Sequence, residues 1–258
     1  MNKGYKTRPL SFNRKMVAAS VSVTKQKSAI HSFAEIDISE PRRLINEHFE
    51  KTGEKLSFTA YIVICLAQVI QQHPVLNSFL KRNKLVLLDD VTVNVLIERE
   101  FNGEKIPESV GIQQAQLKTF RQIQNEIRRA KKDQTQKLGS LSGNAWINYI
   151  PGFLLKAFIR IADRNIKMAK RYGKVAVTAV GMFSKEPIWF IPHGTATVLV
   201  TVGSISNKVV EYEGGFAARE HLCLTVSFDH TIVDGAPAAR FMNQFIETIK
   251  SGTCLFHG

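Results

Sequence analysis

Residues Leu222 to Phe241 read LCLTVSFDHTIVDGAPAARF, a stretch that changes period halfway along. In its first part Leu222, Leu224, Val226 and Phe228 alternate with other residues, the pattern of a strand with one buried face. The strand stops just before His230. After the turn at Asp234-Gly235, Ala239, Phe241, Met242, Phe245, Ile246 and Ile249 recur at helical spacing through Lys250, with Gly252 placed to stop the helix. His230 therefore stands at the lip of a buried strand, with an aspartate four residues on. An imidazole there can be neutral near pH 7 and act as a general base. A lone histidine in such a place is more often a capped residue at the edge of the core.

At 258 residues, 44% hydrophobic and with strand and helix patterns mixed along its length, the chain suits one α/β domain. Cys65, Cys223 and Cys254 are far apart and lack metal-ligand spacing, which argues against a disulfide framework or a zinc site and for a reducing, cytoplasmic setting. The opening MNKGYKTRPLSFNRKM is basic without a long apolar run, so it does not read as a secretory signal. The longest apolar run, Ala60 to Val69, is too short to span a bilayer. A net charge of +13 suits an anionic partner: coenzyme A phosphates, an acidic carrier protein or an anionic membrane surface. Nucleic acid is disfavoured, because no helix-turn-helix, zinc-finger or RNA-binding signature accompanies the charge.

Working outward along the chain, residues 8 to 28 read as a helix beginning near Pro9 to Ser11, and His31 to Ser39 as a strand with one buried side. Pro41 and Gly53 bracket a helix over Arg42 to Thr52. Ser57 to Gln72 is apolar nearly all round, the mark of a helix buried on most of its surface. His73-Pro74 ends it. Leu85 to Ile97 holds two strand-like runs, and Gln114 to Lys137 is a polar helix with Leu117, Phe120, Ile123 and Ile127 on one side. Ala145 to Tyr172 reads as a basic amphipathic helix. Its basic residues, including Lys156, Arg160, Arg164, Lys167, Lys170 and Arg171, accompany Phe153, Leu154, Phe158 and Ile161, a composition that fits packing on the core or peripheral contact with a membrane, an acyl chain or an acidic partner. Lys174 to Phe183 and Gly194 to Ser206 are further strands, and Glu213-Gly214-Gly215 is a hairpin turn leading back to the motif strand.

SFDHTIVDGAPAARF closely resembles the end of the catalytic domain of the 2-oxoacid dehydrogenase acyltransferases (E2), whose HxxxDG core is shared with chloramphenicol acetyltransferase. Pro9, Leu10, Ser11, Arg14 and Lys15 match that family's opening P-L-S-x-x-R-K. Pro74, Leu76 and Asn77 match its FPxLN, and KVAVTAVGMF matches TFTISNLGMF with Thr178 on the family's serine. Ala179 replaces the asparagine, and Glu98-Arg99-Glu100 replaces small and apolar residues, so the resemblance is loose over most of 8 to 100, close over 174 to 251, and absent over about 101 to 173.

The resemblance implies a chloramphenicol acetyltransferase-like α/β fold, a mixed β-sheet flanked by helices, in a homotrimer or a larger assembly of trimers. It casts His230 as the general base and Thr178, from the adjacent subunit, as the donor to the oxyanion. Arg14 would pair with Asp234 to hold the loop bearing His230, with Gly235 completing the motif. The co-substrate would be a coenzyme A thioester; no lipoyl group is expected on residues 1–258 and no metal. Without a lipoyl-lysine segment or Ala/Pro-rich linker, the expectation is a stand-alone acyltransferase on a thiol, hydroxyl or amine, served by an acidic acyl carrier protein or a lipoyl protein. The alternatives are a 2-oxoacid dehydrogenase core using dihydrolipoamide on another chain, or a non-catalytic trimeric scaffold.

Overall fold

Leu222, Leu224, Val226 and Phe228 are all fully buried, and the strand they define is an interior strand, second from one edge, of a six-stranded sheet. The computed structural model describes residues 4–25, 27–101, 104–132, 150–181, 184 and 186–256. In chain order the elements are α1 (Phe12–Thr24), β1 (Ala29–Asp37), α2 (Ser39–Thr52), α3 (Phe58–Gln71), β2 (Ser78–Lys81), β3 (Lys84–Leu87), β4 (Val93–Phe101), β5 (Glu104–Ile112) and α4 (Phe120–Lys132). Then follow α5 (Gly152–Asp163), α6 (Ile166–Tyr172), β6 (Val175–Ala179), β7 (Val198–Tyr212), β8 (Gly215–Asp229) and α7 (Gly235–Ser251). The sheet order is β1-β8-β7-β6-β4-β5, with β2 and β3 forming a separate ribbon. Strand β6 runs parallel to both of its neighbours, β4 and β7, and the other pairs are antiparallel. The sheet is mixed, as expected.

Helix α3 buries ten of its fourteen residues, from Ala60 to Ile70. It packs between α7 and α4, and α7 also meets α2 and β1, so these helices cover the face of the sheet formed by Val226, Phe228 and their neighbours. Tyr61 ties the layer together, since its hydroxyl donates to Ile249 O at 2.5 Å and accepts from Gly252 N at 3.1 Å. On α7 the buried position is Ala238 rather than Ala239, which is exposed. Glu213 and Gly214 both have positive φ, 52° and 79°, giving the tight turn of the β7–β8 hairpin.

Three sequence expectations change. Leu117 is 69% exposed in a short 3₁₀ turn ahead of α4, so it is not on that helix's buried side, and the expected helix residues after Lys132 lie outside the described residues. The strand expected over Lys174 to Phe183 is regular only from Val175 to Ala179. Beyond it Gly181 passes so close to β7 that a Cβ would stand 1.5 Å from Gly203 O, a path only glycine allows. The basic helix expected over Ala145 to Tyr172 is two helices where described, because Asn165 caps α6 by accepting from Lys167 N and Met168 N.

Candidate active site

Strand β8 delivers the chain to Asp229, and the turn that follows is held from three sides. The Asp229 carboxylate accepts from Thr231 N at 3.1 Å and from Thr231 Oγ1 at 2.5 Å. Ile232 N and Val233 N both reach back to Asp229 O at 3.0 Å, and His230 N donates to Ser28 O at 2.8 Å. This fixes the backbone that carries His230. Its ring Nδ1 lies 3.1 Å from Val233 O. A carbonyl only accepts, so Nδ1 carries the proton and Nε2 is left as the basic nitrogen. The Asp234 carboxylate stands 3.7 Å from the same Nδ1.

Behind the turn is a group of charges, Asp229 and Lys174 buried and Lys27 and Asp163 partly so. Lys27 Nζ lies 3.3 Å from Asp229 and 3.6 Å from Asp163, and also donates to Thr195 O at 2.6 Å. Lys174 Nζ lies 2.6 Å from Asp163 Oδ1 and packs over the Phe79 ring at 4.9 Å. Burial alone would raise the Asp163 carboxyl, but the ammonium groups of Lys174 and Lys27 outweigh it and hold it below the usual carboxylate range. Lys174 is 4% exposed, and burial pulls its ammonium down despite the Asp163 carboxylate. Three of these four residues, Lys27, Asp163 and Lys174, carry no signal in the sequence. The four are far apart along the chain, and only the spacing of Asp229 to His230 hinted at any of them.

The predicted residues fall as follows. His230 and Asp234 are brought together. Asp234 is 85% exposed at the start of α7 and, among the described residues, its ionic neighbour is His230, so the Arg14–Asp234 pair is not formed. Arg14 lies on the first turn of α1, its N–H donating to Ser11 Oγ at 3.3 Å. That helix is drawn instead to α5, through Phe12 and Ala19 against Leu155. Gly235 opens α7, and a Cβ there would meet nothing within 4 Å. Thr178 is not brought to His230. It sits on β6 level with Thr201 of β7, which is level with Thr225 of β8. His230 is five residues further along β8, so the two are separated by roughly 17 Å along the strands and about 10 Å across them. A hollow of about 280 Å³ lies beside Lys27, His31, His193 and Asp229, but neither His230 nor Thr178 lines it.

Residues 2–142 and 167–256 match the 2-oxoacid dehydrogenases acyltransferase (catalytic domain) model. The chain therefore belongs to the 2-oxoacid dehydrogenase acyltransferase family. It is 25% identical, over 98% of its length, to the lipoamide acyltransferase component of the branched-chain alpha-keto acid dehydrogenase complex of Bacillus subtilis, covering 55% of that protein. It is 27% identical, over 78% of its length, to the dihydrolipoyllysine-residue acetyltransferase component of the pyruvate dehydrogenase complex of Mycoplasma genitalium, covering 45% of it. The chain thus spans about half the length of these curated relatives. The fold matches solved structures of a probable dihydrolipoamide acetyltransferase from Listeria monocytogenes, with TM-score 0.70 at 22% identity over 99% of this chain and 98% of that one. It also matches the Azotobacter vinelandii dihydrolipoamide acetyltransferase, with TM-score 0.73 at 17% identity over 99% and 96%.

Proposed function

We propose that the chain is the acyltransferase core of a 2-oxoacid dehydrogenase system, moving an acyl group between a dihydrolipoyl thiol on another polypeptide and coenzyme A. The observation that carries this reading is the His230 ring, held by Val233 O so that Nε2 is the free base, within a chain that matches the family's catalytic domain. The names of the relatives favour lipoyl-linked substrates over the stand-alone enzyme that the sequence alone suggested. In the reaction Nε2 takes the proton of the attacking thiol, and the thiolate sulfur bonds to the thioester carbonyl carbon. The oxyanion so formed accepts a hydrogen bond from Thr178 Oγ1 of an adjacent subunit. Collapse breaks the original carbon–sulfur bond, and the departing thiolate recovers its proton from His230.

The separation of Thr178 from His230 within one chain supports a site shared between subunits. So does the surface: β1 is an edge strand with Phe33 53% exposed, and Trp189 donates to Ala34 O alongside it, with Ile191 55% exposed. An edge flanked by apolar residues is suited to contact with another copy. The test is complementation. His230→Ala should lower turnover of acetyl-CoA with dihydrolipoamide by about 10²–10⁴-fold, and Thr178→Ala by about 10²–10³-fold. Co-expressing the two variants in equal amounts in a cyclic assembly should restore about a quarter of wild-type activity, since half the histidines are intact and half of those face an intact threonine. No recovery would mean that both residues are required within the same subunit and would overturn the shared site. Undiminished turnover by His230→Ala would overturn the mechanism itself.

A further inference from the structure

Helix α5 belongs to residues 143–166, the one internal stretch that the family match leaves out. It buries little. Leu155 is 5% exposed and, with Ile159, packs on Phe12, Met16 and Ala19 of α1. The other side is apolar too, with Phe153 68%, Leu154 49%, Phe158 59% and Ile161 69% exposed. At 3.6 residues per turn these four fall within an arc of about 140°, opposite the Leu155–Ile159 stripe. The exposed arc therefore points away from the protein along a helix of twelve residues, about 18 Å long. Lys156 and Arg164 flank it, and Lys167, Lys170 and Arg171 follow on α6, all exposed. Between residues 150 and 172 the only acid is Asp163, which is turned inward onto Lys174 and Lys27.

From this arrangement we infer that α5 and α6 form a peripheral docking face for an anionic phospholipid surface, with the α5 side chains entering the interface and the flanking cations meeting the headgroups. A bilayer fits for three reasons. The apolar arc is convex and continuous, so it calls for a flat apolar boundary rather than a side chain to fill a groove. Its rim is entirely cationic, which selects an anionic surface. A second copy of this chain would bring another +13 molecule against these five exposed cations, an unfavourable match. No helix among the described residues is long and apolar enough to cross a membrane, so the contact is peripheral.

The test is flotation of the full chain with vesicles of phosphatidylcholine alone and of phosphatidylcholine with phosphatidylglycerol. Three proteins are compared with wild type: Phe153→Ser with Phe158→Ser; Lys156→Gln with Arg164→Gln, Lys167→Gln and Lys170→Gln; and a control with the same charge change at Lys6, Lys51, Lys81 and Lys84. All these positions are exposed, so the fold should survive, as circular dichroism would check. Wild type and control should float with anionic vesicles only. Both helix variants should lose at least tenfold in partitioning, since each cation near the surface is worth roughly fivefold. A Phe153→Trp reporter should shift its emission to the blue on the same vesicles. Absence of flotation by wild type, or equal loss in the control, would overturn the proposal. So would helix variants that alter the sedimentation coefficient of the assembly without altering flotation, which would assign the face to contact between copies.

Discussion

Asp163→Asn is the perturbation that most directly tests how the turn bearing His230 is supported. The carboxylate is flanked by Lys174 Nζ at 2.6 Å and Lys27 Nζ at 3.6 Å, with side-chain exposures of 6% and 23% for the two lysines. Asparagine keeps the shape and one acceptor but removes the charge, leaving two ammonium groups with Asp229 as their remaining anion. Removing one partner of a buried pair costs about 3–5 kcal/mol, and the lower end, about 3 kcal/mol, applies because the amide oxygen still accepts a hydrogen bond. For a chain of this size that is a fall in Tm of about 6–12 °C. Lys174→Met should cost less, under about 2 kcal/mol, because it deletes a cation whose burial is itself unfavourable and leaves Asp163 facing Lys27. The double variant should be little worse than Lys174→Met alone, giving a coupling of roughly 3 kcal/mol in a double-mutant cycle by urea denaturation.

Acid titration supplies a second readout of the same variant. The Asp163 carboxyl is lowered in the folded protein, so the unfolded chain binds its proton more readily. Its contribution to stability is therefore fully present above the ordinary aspartate value near 4 and is lost as pH falls through the lower folded value. The gap between wild type and Asp163→Asn should accordingly be constant at neutral pH and close only below about pH 4. A gap within about 0.5 kcal/mol at pH 7, or additive effects in the double variant, would refute the claim that these charges form one buried unit.

Two further outcomes are expected. Tyr61→Phe removes the hydroxyl that donates to Ile249 O and accepts from Gly252 N, both inside the helical layer; it should cost about 1–3 kcal/mol by chemical denaturation with no change in turnover, and a neutral result would mean the Gly252 N–H finds another acceptor. Gly235→Ala meets no obstacle within the chain and improves helix propensity by up to about 1 kcal/mol. Its Tm should match or exceed that of wild type while turnover or assembly falls at least tenfold. Such a loss would mean that substrate or a neighbouring subunit needs the space a Cβ at 235 would fill, and undiminished turnover in an intact assembly would exclude that use.

The parts of the fold that could be read from sequence are those whose causes are local. Alternation at Leu222 to Phe228, the all-apolar run of α3 and the Glu213-Gly214 turn each state their structure within a few residues. Strand β5 does not, because Glu104 to Ile112 holds Pro107 and scattered charges; both are tolerated because β5 is the last strand of the sheet, with one side unpaired. Asn165 is an N-cap residue type inside the segment read as one helix, and its capping of α6 explains the break. His230 could be found since strand, turn and helix meet there in sequence. Lys27, Asp163 and Lys174 could not, since each resembles an ordinary surface charge until residues 11 to 202 positions apart are brought to Asp229.

Those hidden residues change the meaning of the segment that the family match omits. At its middle, Leu155 of α5 closes a small apolar cluster with Phe12 and Ala19 of α1. At its end, Asp163 meets Lys27, whose other anionic partner is Asp229, the residue before His230. Phe153, Leu154, Phe158 and Ile161 are on the opposite side of the same helix and need no contact with the core to keep it in place. The helix is therefore anchored by one face, coupled at its end to the support of the turn bearing His230, and free to use the other face for an external contact. Asp163 and the exposed arc thus belong to one twelve-residue helix, whose last residue is the one that meets Lys27.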